Sequence, residues 1–301
     1  MLEPAAFLAI LVRMTDPTGS KPFGAFPPTA FQSFLMAMGH RMPANWAGRR
    51  GASLIRSVLK RWSDRPIDAV RLGSRMRLYA NGNASEKRLM TSPQFFDPEE
   101  LAILEKVLRP GFVFVDIGAN AGTYTLFVAS RVGSGGRILA VDPHPVARQH
   151  LQCNLDLNNI DWVTIAPVAL SDTSGTLQLF INDRNIGSSS LNAGVEPHIA
   201  KRSIEVPTRT LLSLLEEEQL THIDAIKIDV EGVEDRILLP FFASAPPLMW
   251  PTLILMEDNR TAWTGDLPGV LQRSGYVTVL ATDGNMVLRR QDPSSRNGAA
   301  A

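Results

Sequence analysis

The sequence has a single cysteine, Cys153, so an intrachain disulfide is impossible and a zinc site built from several thiolates is excluded. Cys153 falls within a helical pattern, and we expect a buried structural thiol there rather than a catalytic one. The scarcity of cysteine fits a cytoplasmic protein.

The chain also lacks a hydrophobic run long enough to cross a bilayer. Its most apolar N-terminal stretch covers residues 5–12, and Glu3 precedes it where a signal peptide would carry a positive charge. We therefore expect neither a transmembrane segment nor a secretion signal, and interpret this stretch as a short amphipathic or core helix. The polar tail, residues 291–301, is expected to be disordered.

An excess of either charge is missing as well, since the chain has 30 basic and 30 acidic residues. The basic residues are concentrated in the first ninety positions, however. This region is either a solvated face or a docking surface for an anionic substrate, a carrier or a membrane, with Arg49, Arg50, Lys60 and Arg61 as its test residues. Aromatic residues do not alternate with the basic ones, so nucleic acid is not expected as a partner.

From residue 97 onward, strand-like and helix-like segments alternate. Helices are predicted at 97–108, 122–133, 145–159, 210–220, 232–242 and 267–275, and strands at 112–117, 137–142, 163–170, 175–181, 223–229 and 251–257, with a closing strand pair at 276–281 and 285–290. Asp97 is expected to cap the first of these helices. This alternation predicts an α/β fold with helices on both faces of a mostly parallel sheet.

The stretch "FVFVDIGANAGTYTLFVAS", residues 112–130, places an acid and two glycines where a buried strand meets a helix. Ligands of such sheets bind beyond the carboxyl ends of the strands. Gly118 permits a sharp turn, and Gly122 lets a ligand approach the start of the helix. A dinucleotide site requires a glycine where this chain has Asn120, which argues against nicotinamide and flavin cofactors. S-adenosylmethionine fits better, with Asp116 accepting from its ammonium and the backbone around Gly118 holding its carboxylate.

The next two strands support the same site. Asp142 follows the second strand, where an acid binds ribose hydroxyls, and His144 lies just beyond it. The third strand runs into "ALSD", which places Ser171 and Asp172 at the expected adenine edge. Each acid alone could merely cap a helix or turn. Acids after three successive strands favour a cofactor site.

With these motifs in place, the sequence resembles the FkbM-like family of S-adenosylmethionine-dependent methyltransferases. The resemblance covers roughly residues 86–280 and rests on "FVDIGANAGTYTL", "VDPHPVARQHLQCN", "ALSD", "SSSL", "LILME" and above all "IDAIKIDVEGVE", residues 223–234. The resemblance does not explain the expected accessory region, residues 1–85, which is basic and partly helical. It implies a Rossmann-like class I methyltransferase sheet over residues 86–290. It also implies methyl transfer to a hydroxyl of a small molecule, glycan or lipid. The implied cofactor residues are Asp116, Gly118, Asn120, Gly122, Asp142 and Asp172, although the family often has Glu at position 142.

The chemistry is expected at the carboxyl end of the strand predicted at 223–229, within "KIDVEGVE". Asp229 is the first candidate for substrate orientation or general base, and Glu231 the second. Glu234 either joins them or offsets the helix dipole, and Lys227 is expected in a structural ion pair. Candidate substrate residues are Ser189, Ser190, His198 and Glu257.

Three alternatives stay open. Asp229, Asp258 and Asn259 could together hold Mg²⁺, although the family resemblance implies no metal; otherwise Glu257 or Asp258 lines the substrate entrance or caps the next helix. The chain could be a catalytically silent protein that keeps the fold for binding or scaffolding. It could also methylate nitrogen or a macromolecule.

Overall fold

The computed structural model describes residues 20–63, 65–182, 185–189 and 202–291. The apolar run at 5–12 and all but the first residue of the predicted disordered tail lie outside these ranges. The helices in chain order are α1 (Ala30–His40), α2 (Trp46–Arg61), α3 (Ala84–Thr91), α4 (Pro98–Glu105), α5 (Thr123–Val132), α6 (Pro145–Asp156), α7 (Leu211–Glu217), α8 (Glu234–Ser244) and α9 (Leu267–Arg273). The strands are β1 (Ile67–Arg71), β2 (Ser74–Leu78), β3 (Val113–Ile117), β4 (Arg137–Val141), β5 (Thr164–Ala166), β6 (Ala169–Leu170), β7 (Gly175–Ile181), β8 (Arg202–Arg209), β9 (Ala225–Ile228), β10 (Leu253–Glu257), β11 (Tyr276–Ala281) and β12 (Asn285–Arg290).

Seven strands form the central sheet, in the order β11-β12-β10-β9-β3-β4-β5. Neighbouring strands from β10 to β5 are parallel, and β12 runs antiparallel to both β10 and β11. The predicted α/β fold with a closing antiparallel pair is therefore confirmed. Strand order reverses between β3 and β9, the kind of position where doubly wound sheets bind ligands.

Alternate residues of β3 enter different cores. Phe114 packs into a core that includes residues of α4, α5 and α6, together with residues of the N-terminal helices α1 and α2. Val113, Val115 and Ile117 pack on the other side with α7, α8 and α9. Successive side chains of β3 point to opposite faces, and both faces are buried. This explains the nearly continuous apolar run from which the strand was predicted.

The predicted third strand, 163–170, is wrong as a single strand. It divides into β5, which stays in the central sheet, and β6, which joins a separate three-stranded sheet in the order β6-β8-β7. Pro167 lies between them and has no backbone N–H to donate to a ladder, which favours a break there. The predicted strand at 175–181 is confirmed as β7, whereas β8 falls in a segment expected to be a polar loop.

Asp97 precedes α4 as predicted, but its capping role is wrong. Its φ is +42°, and its side chain makes no capping hydrogen bond. Instead the hydroxyl of Tyr124 donates to its carboxylate at 3.1 Å. Burial raises the pKa of Asp97, and the positive charge of Lys227 opposes the shift. The left-handed backbone turns this carboxylate toward the interior instead of the helix terminus.

A buried ion pair holds the hairpin of the accessory region together. Arg77 of β2 contacts Asp68 of β1 at 2.8 Å, with side-chain exposures of 0% and 1%. The same guanidinium donates to the carbonyls of Lys21 and Pro22, each at 3.0 Å. The backbone N–H of Arg77 donates to Asn154 of α6 at 2.7 Å. The β1–β2 hairpin, which the sequence did not predict, thus links the N-terminal segment to the sheet-packing helices; the domain boundary at residue 85 stays a prediction.

Cys153 is buried, as expected. Burial raises the pKa of its thiol to about 11, against the opposing effect of Arg77. A protonated, buried thiol is a poor nucleophile, which fits a structural role. Among the described helices, none is both long and apolar enough to cross a membrane.

Candidate active site

A cavity of about 380 Å³ opens at the carboxyl ends of the parallel strands. It brings together most of the predicted site residues: Asp116, Gly118, Asn120, Asp142, His144, Ser189, Asp229, Glu231 and Glu257 line it. Gly122, Ser171, Asp172, Asp258 and Asn259 are not among its lining residues. Ser190 and His198 lie outside the described residues.

Gly118 makes the turn after β3 and touches the neighbouring strand end. Its φ is +77°, and a Cβ placed on it would lie 2.0 Å from the carbonyl oxygen of Asp229. The N–H groups of Gly118 and Ala119 both donate to the carbonyl of Val141, at 2.9 and 3.1 Å. The turn therefore joins the ends of β3, β4 and β9. Because those two amides are already bonded, they do not supply the carboxylate-binding donors that the sequence suggested.

Gly122 has a different role from the one expected. Its φ is +86°, and a Cβ there would lie 2.3 Å from Cδ1 of Leu151 in α6. The missing side chain thus allows α5 to pack closely against α6. Gly122 shapes the helix pair behind the cavity rather than the cavity wall.

Asp142 is held by two backbone donors. Its Oδ1 accepts from the N–H of His144 at 2.7 Å, and its Oδ2 from the N–H of Asn120 at 2.8 Å. Each carboxylate oxygen can accept a further hydrogen bond. Burial raises the pKa of Asp142 to about 6, although both backbone donors lower it. Nδ1 of His144 faces the N–H groups of Val146 and Ala147 at the start of α6, so this histidine caps that helix.

Asp116 is the second buried acid of this half of the cavity. Its Oδ2 accepts from Oγ1 of Thr125 at 2.6 Å. Burial raises its pKa to about 6, while Thr125 and the charge of Lys227 act against the shift. A buried carboxylate with one neutral hydroxyl partner is suited to a cationic ligand group.

Asn120 connects the turn to the accessory region. Its φ is +51°, a left-handed conformation that asparagine tolerates better than most residues. Its side-chain oxygen accepts from the amide of Asn83 at 2.7 Å, and Asn83 caps α3. Ser85 and Arg88 of α3, with Phe96 and Asp97, complete this wall of the cavity. No motif in the sequence indicated that residues 85–97 reach the cofactor turn.

Lys227 lies among carboxylates near the end of β9. Its Nζ is 3.2 Å from Oδ2 of Asp229 and 5.4 Å from the ring centre of Tyr124. Burial lowers its pKa, but the carboxylates of Asp229, Asp97 and Asp116 outweigh this effect and raise it. Lys227 therefore stays protonated, in the ion pair that the sequence suggested.

Glu234 builds the turn that presents Glu231. Its carboxylate is fully buried and accepts from the N–H of Gly232 at 3.2 Å and from Nε1 of Trp263 at 2.8 Å. Glu231, within this turn, has a φ of +59°, which is uncommon for glutamate. Glu234 is thus a positioning residue, a role that goes beyond the helix-dipole effect considered from the sequence.

Burial and neighbouring charges raise the pKa of two acids beside Asp229, Glu231 and Glu257. Burial, followed by the charges of Asp229, Glu257 and Glu234, raises the pKa of Glu231 to about 8. Burial and the neighbouring Asp229 raise that of Glu257 to about 7, while the amide of Asn259 opposes this at 2.7 Å. At neutral pH Glu231 is therefore mainly protonated, whereas Asp229 carries the ion pair with Lys227.

The negative charge of Asp229 near Glu231 gives a direct prediction for the pKa of Glu231. We expect its carboxyl group to titrate near pH 8 in carbon-detected NMR, with the resonance assigned through Glu231→Gln. Asp229→Asn removes a nearby negative charge and should lower this pKa. Asp258→Asn is the control, because Asp258 faces Arg260 at 2.7 Å instead. Titration of Glu231 near its ordinary value, or no response to Asp229→Asn, would contradict this electrostatic arrangement.

Ser171 and Asp172 directly follow β6, the strand that left the central sheet. Oγ of Ser171 donates to Asp172 at 3.0 Å, and Arg236 donates to the same carboxylate oxygen at 3.2 Å. The Asp172 side chain is 47% exposed. Val168, Ala169 and Leu170 still line the cavity, whereas Ser171 and Asp172 just beyond them do not.

The residues considered for Mg²⁺ do not converge. Asp258 is paired with Arg260, and the amide nitrogen of Asn259 donates to Glu257 and to Glu234. Within the part of the chain that the structure describes, no group of three His, Cys, Asp or Glu side chains is arranged to hold a metal ion.

Comparisons with known proteins identify a methyltransferase family. Residues 116–261, just under half of the chain, match the family model described as the Methyltransferase FkbM domain. The resemblance found in the motifs is therefore confirmed over these residues.

Three individual proteins show how far the likeness extends. Methyltransferase sdnD of Sordaria araneosa is 30% identical over 151 residues, which are 41% of this chain and 58% of that protein. Ribosomal RNA large subunit methyltransferase E of Sorangium cellulosum is 41% identical over 51 residues, covering 17% of this chain and 24% of that protein. A human methyltransferase 10 domain containing protein superposes with a TM-score of 0.44 at 13% identity, covering 82% and 97% of the two chains. This chain thus spans less than two thirds of the two sequence relatives.

Proposed function

We propose that the protein is an S-adenosylmethionine-dependent methyltransferase that methylates a hydroxyl oxygen of a small molecule, glycan or lipid. The observation that carries this proposal is the cavity in which the glycine turn after β3, the acid after β4 and the acids after β9 meet. The FkbM domain supports methyl transfer as the reaction class. We propose a hydroxyl oxygen as the acceptor because the cavity is lined by carboxylates that can take its proton.

The residues present fit this cofactor. Asp116 offers a buried carboxylate to the ammonium group, and Asp142 retains an acceptor site on each oxygen for ribose hydroxyls. Among the described residues that line the cavity, the basic side chains are Arg88 and Lys227. Lys227 is paired with Asp229, so Arg88 is the one suited to bind the carboxylate of the cofactor. When bound, S-adenosylmethionine supplies an electrophilic methyl group on a positively charged sulfur.

Asp229 is the proposed general base. A hydroxyl acceptor must lose its proton as its oxygen bonds to carbon, and a carboxylate within the cavity can take that proton. Lys227 orients Asp229 at 3.2 Å. Glu231 is mainly protonated and Glu257 partly protonated at neutral pH because of their raised pKa values, and in that form each donates a hydrogen bond that orients the acceptor.

Cofactor binding can be tested by calorimetric titration. We expect Asp142→Ala to weaken S-adenosylmethionine binding by about 10- to 100-fold, the cost of losing hydrogen bonds to one charged partner. Asp172→Ala is the matched control and should leave the affinity nearly unchanged, since Asp172 faces Arg236. NADH should not bind. Because the pKa of Asp116 and Asp142 is about 6, affinity should also fall as the pH drops below that value.

Two outcomes would change the proposal. Absence of S-adenosylmethionine binding to the folded wild-type protein would favour the silent scaffold. Binding with turnover only on RNA or on nitrogen acceptors would replace the hydroxyl assignment while keeping the cofactor site.

A further inference from the structure

Exposed apolar side chains are concentrated on one part of the molecule. Of the eleven large hydrophobic side chains that are exposed among the described residues, seven belong to α1, to α2 or to the residue after α2: Phe31, Phe34, Met38, Trp46, Leu54, Val58 and Trp62. The core uses other residues of the same helices, including Leu35, Met36, Ile55 and Leu59. The exposed set is therefore not required to pack the fold.

Six of these residues form one continuous surface. Phe31, Phe34 and Met38 follow one side of α1 at intervals of three and four residues, and Leu54, Val58 and Trp62 follow one side of α2 at intervals of four. The rings of Phe31 and Trp62 meet edge to face, with 5.5 Å between their centres, and join the two rows. We call these six residues the apolar strip.

A basic cavity lies on the other side of α2. Its lining residues are Ser53, Arg56, Ser57, Lys60, Arg61, Asn81 and Lys87, and none of them is acidic. The lysine and arginine residues of this set form the basic cluster. Burial, Lys60 and Arg56 all lower the pKa of Lys87. Four like charges around one cavity favour an anionic ligand.

We propose that α1 and α2 dock the protein on the surface of a bilayer that contains anionic phospholipids. The apolar strip enters the headgroup region, and the basic cluster binds lipid phosphates beside it. Amphipathic helices that lie in a membrane interface combine these two features, with Trp, Phe and Leu on one face and Lys and Arg on the other. Trp46 and Trp62, exposed by 75% and 65%, suit the interface because their rings are both apolar and polar.

Charge and side-chain chemistry favour a lipid surface over two other occupants. RNA stacks its bases on aromatic rings, whereas half of the apolar strip, Met38, Leu54 and Val58, has no ring to offer. A second copy related by a twofold axis through α2 would bring two basic clusters near one another. Lys87 of the basic cluster and Arg88 of the catalytic cavity are consecutive in α3. Docking would therefore hold that cavity beside the headgroups, independently of which acceptor it binds.

Vesicle flotation of the full chain tests this proposal. We expect binding to vesicles of phosphatidylcholine mixed with phosphatidylglycerol, and much weaker binding to phosphatidylcholine alone. Phe34→Asp and Leu54→Asp should each reduce binding by about tenfold or more, the equivalent of losing one buried apolar side chain. Leu248→Asp is the matched control, because Leu248 is 79% exposed and lies far from α1 and α2 in sequence. It should bind like the wild type.

Variants of the basic cluster test the electrostatic contribution to vesicle binding. Lys60→Glu with Lys87→Glu should reduce binding to anionic vesicles by about tenfold or more, and added salt should weaken wild-type binding. Lys106→Glu, at another exposed lysine, is the control for net charge. Equal losses in the control and test variants would overturn the proposal.

Further measurements would identify other ligands of the apolar strip or of the basic cluster. Absence of binding to anionic vesicles overturns the proposal outright. A dimer in light scattering that Leu54→Asp dissociates would assign the strip to a second copy, and a photo-crosslink from position 54 to residues 1–19 without vesicle binding would assign it to this chain. Loss of RNA binding in the lysine variants with unchanged vesicle binding would assign the basic cluster to RNA.

Discussion

Gly118→Ala is expected to lower the free energy of unfolding by about 2 to 5 kcal/mol and to reduce methyl transfer by about 100-fold. The new methyl group would lie 2.0 Å from the carbonyl oxygen of Asp229, and the residue would have to keep a φ of +77°. The turn must therefore move away from the end of β9. That movement separates Asp116 from Asp229, so both cofactor binding and chemistry suffer.

Gly111→Ala separates the two causes. Gly111 has a φ of +75°, but a Cβ there meets nothing within 4 Å. This variant should therefore lose only the backbone component, about 1 to 2 kcal/mol. Urea unfolding of the three proteins measures the difference. Equal losses in the two variants would show that the contact with Asp229 is not what requires a glycine at position 118.

Asp229→Asn is expected to lower kcat by about 10²- to 10⁴-fold, the usual contribution of a general base. The amide keeps the shape of the side chain but cannot take the proton of the acceptor. Affinity for S-adenosylmethionine should change little, because Asp116 and Asp142 make the proposed cofactor contacts. Turnover is measured with methyl-labelled cofactor against a panel of hydroxyl acceptors, and calorimetry measures the affinity.

Two further variants make the assignment of the base specific. Asp258→Asn should keep nearly full activity, because Asp258 is paired with Arg260. Glu231→Gln should lower activity less than Asp229→Asn, since Glu231 is already mainly protonated at neutral pH. If Glu231→Gln caused the larger loss and removed a rise in rate near pH 8, Glu231 would be the base and our assignment would be wrong.

The sequence predicted those parts of the fold that depend on local pattern. The apolar run of β3 correctly predicted a strand, which is buried on both faces. The helical spacing after Gly122 correctly predicted α5, in which eight of ten residues are buried. The division at Pro167 was missed, since β6 takes its partner, β8, from almost forty residues further along the chain. Ser171 and Asp172 were expected in the cavity because β5 and β6 were predicted as one strand, and these residues follow its end.

The site could be predicted where its residues lie at the ends of parallel strands. It could not be predicted where a residue's role depends on contacts with distant parts of the chain. Asp116 lies at the end of β3, and Asp142 and Asp229 directly follow β4 and β9, so their convergence follows from the parallel topology. The roles of Gly122 and Glu234 depend instead on Leu151 and Trp263, residues about thirty positions away in the chain. Asp97 has the residue type of a helix cap, but its backbone conformation and the hydroxyl of Tyr124 give it another partner.

The hydrogen bond between Asn83 and Asn120 bears on how such enzymes could diversify. The matched family domain begins at residue 116, yet Ser85, Arg88, Phe96 and Asp97 form a wall of its cavity. A lineage could therefore exchange its N-terminal hundred residues and keep the turn after β3 and the strand-end acids, but the exchange would also replace Arg88, the proposed partner of the cofactor carboxylate. New acceptors would then arise by replacing the facing wall, while the strand-end half of the pocket stays the same.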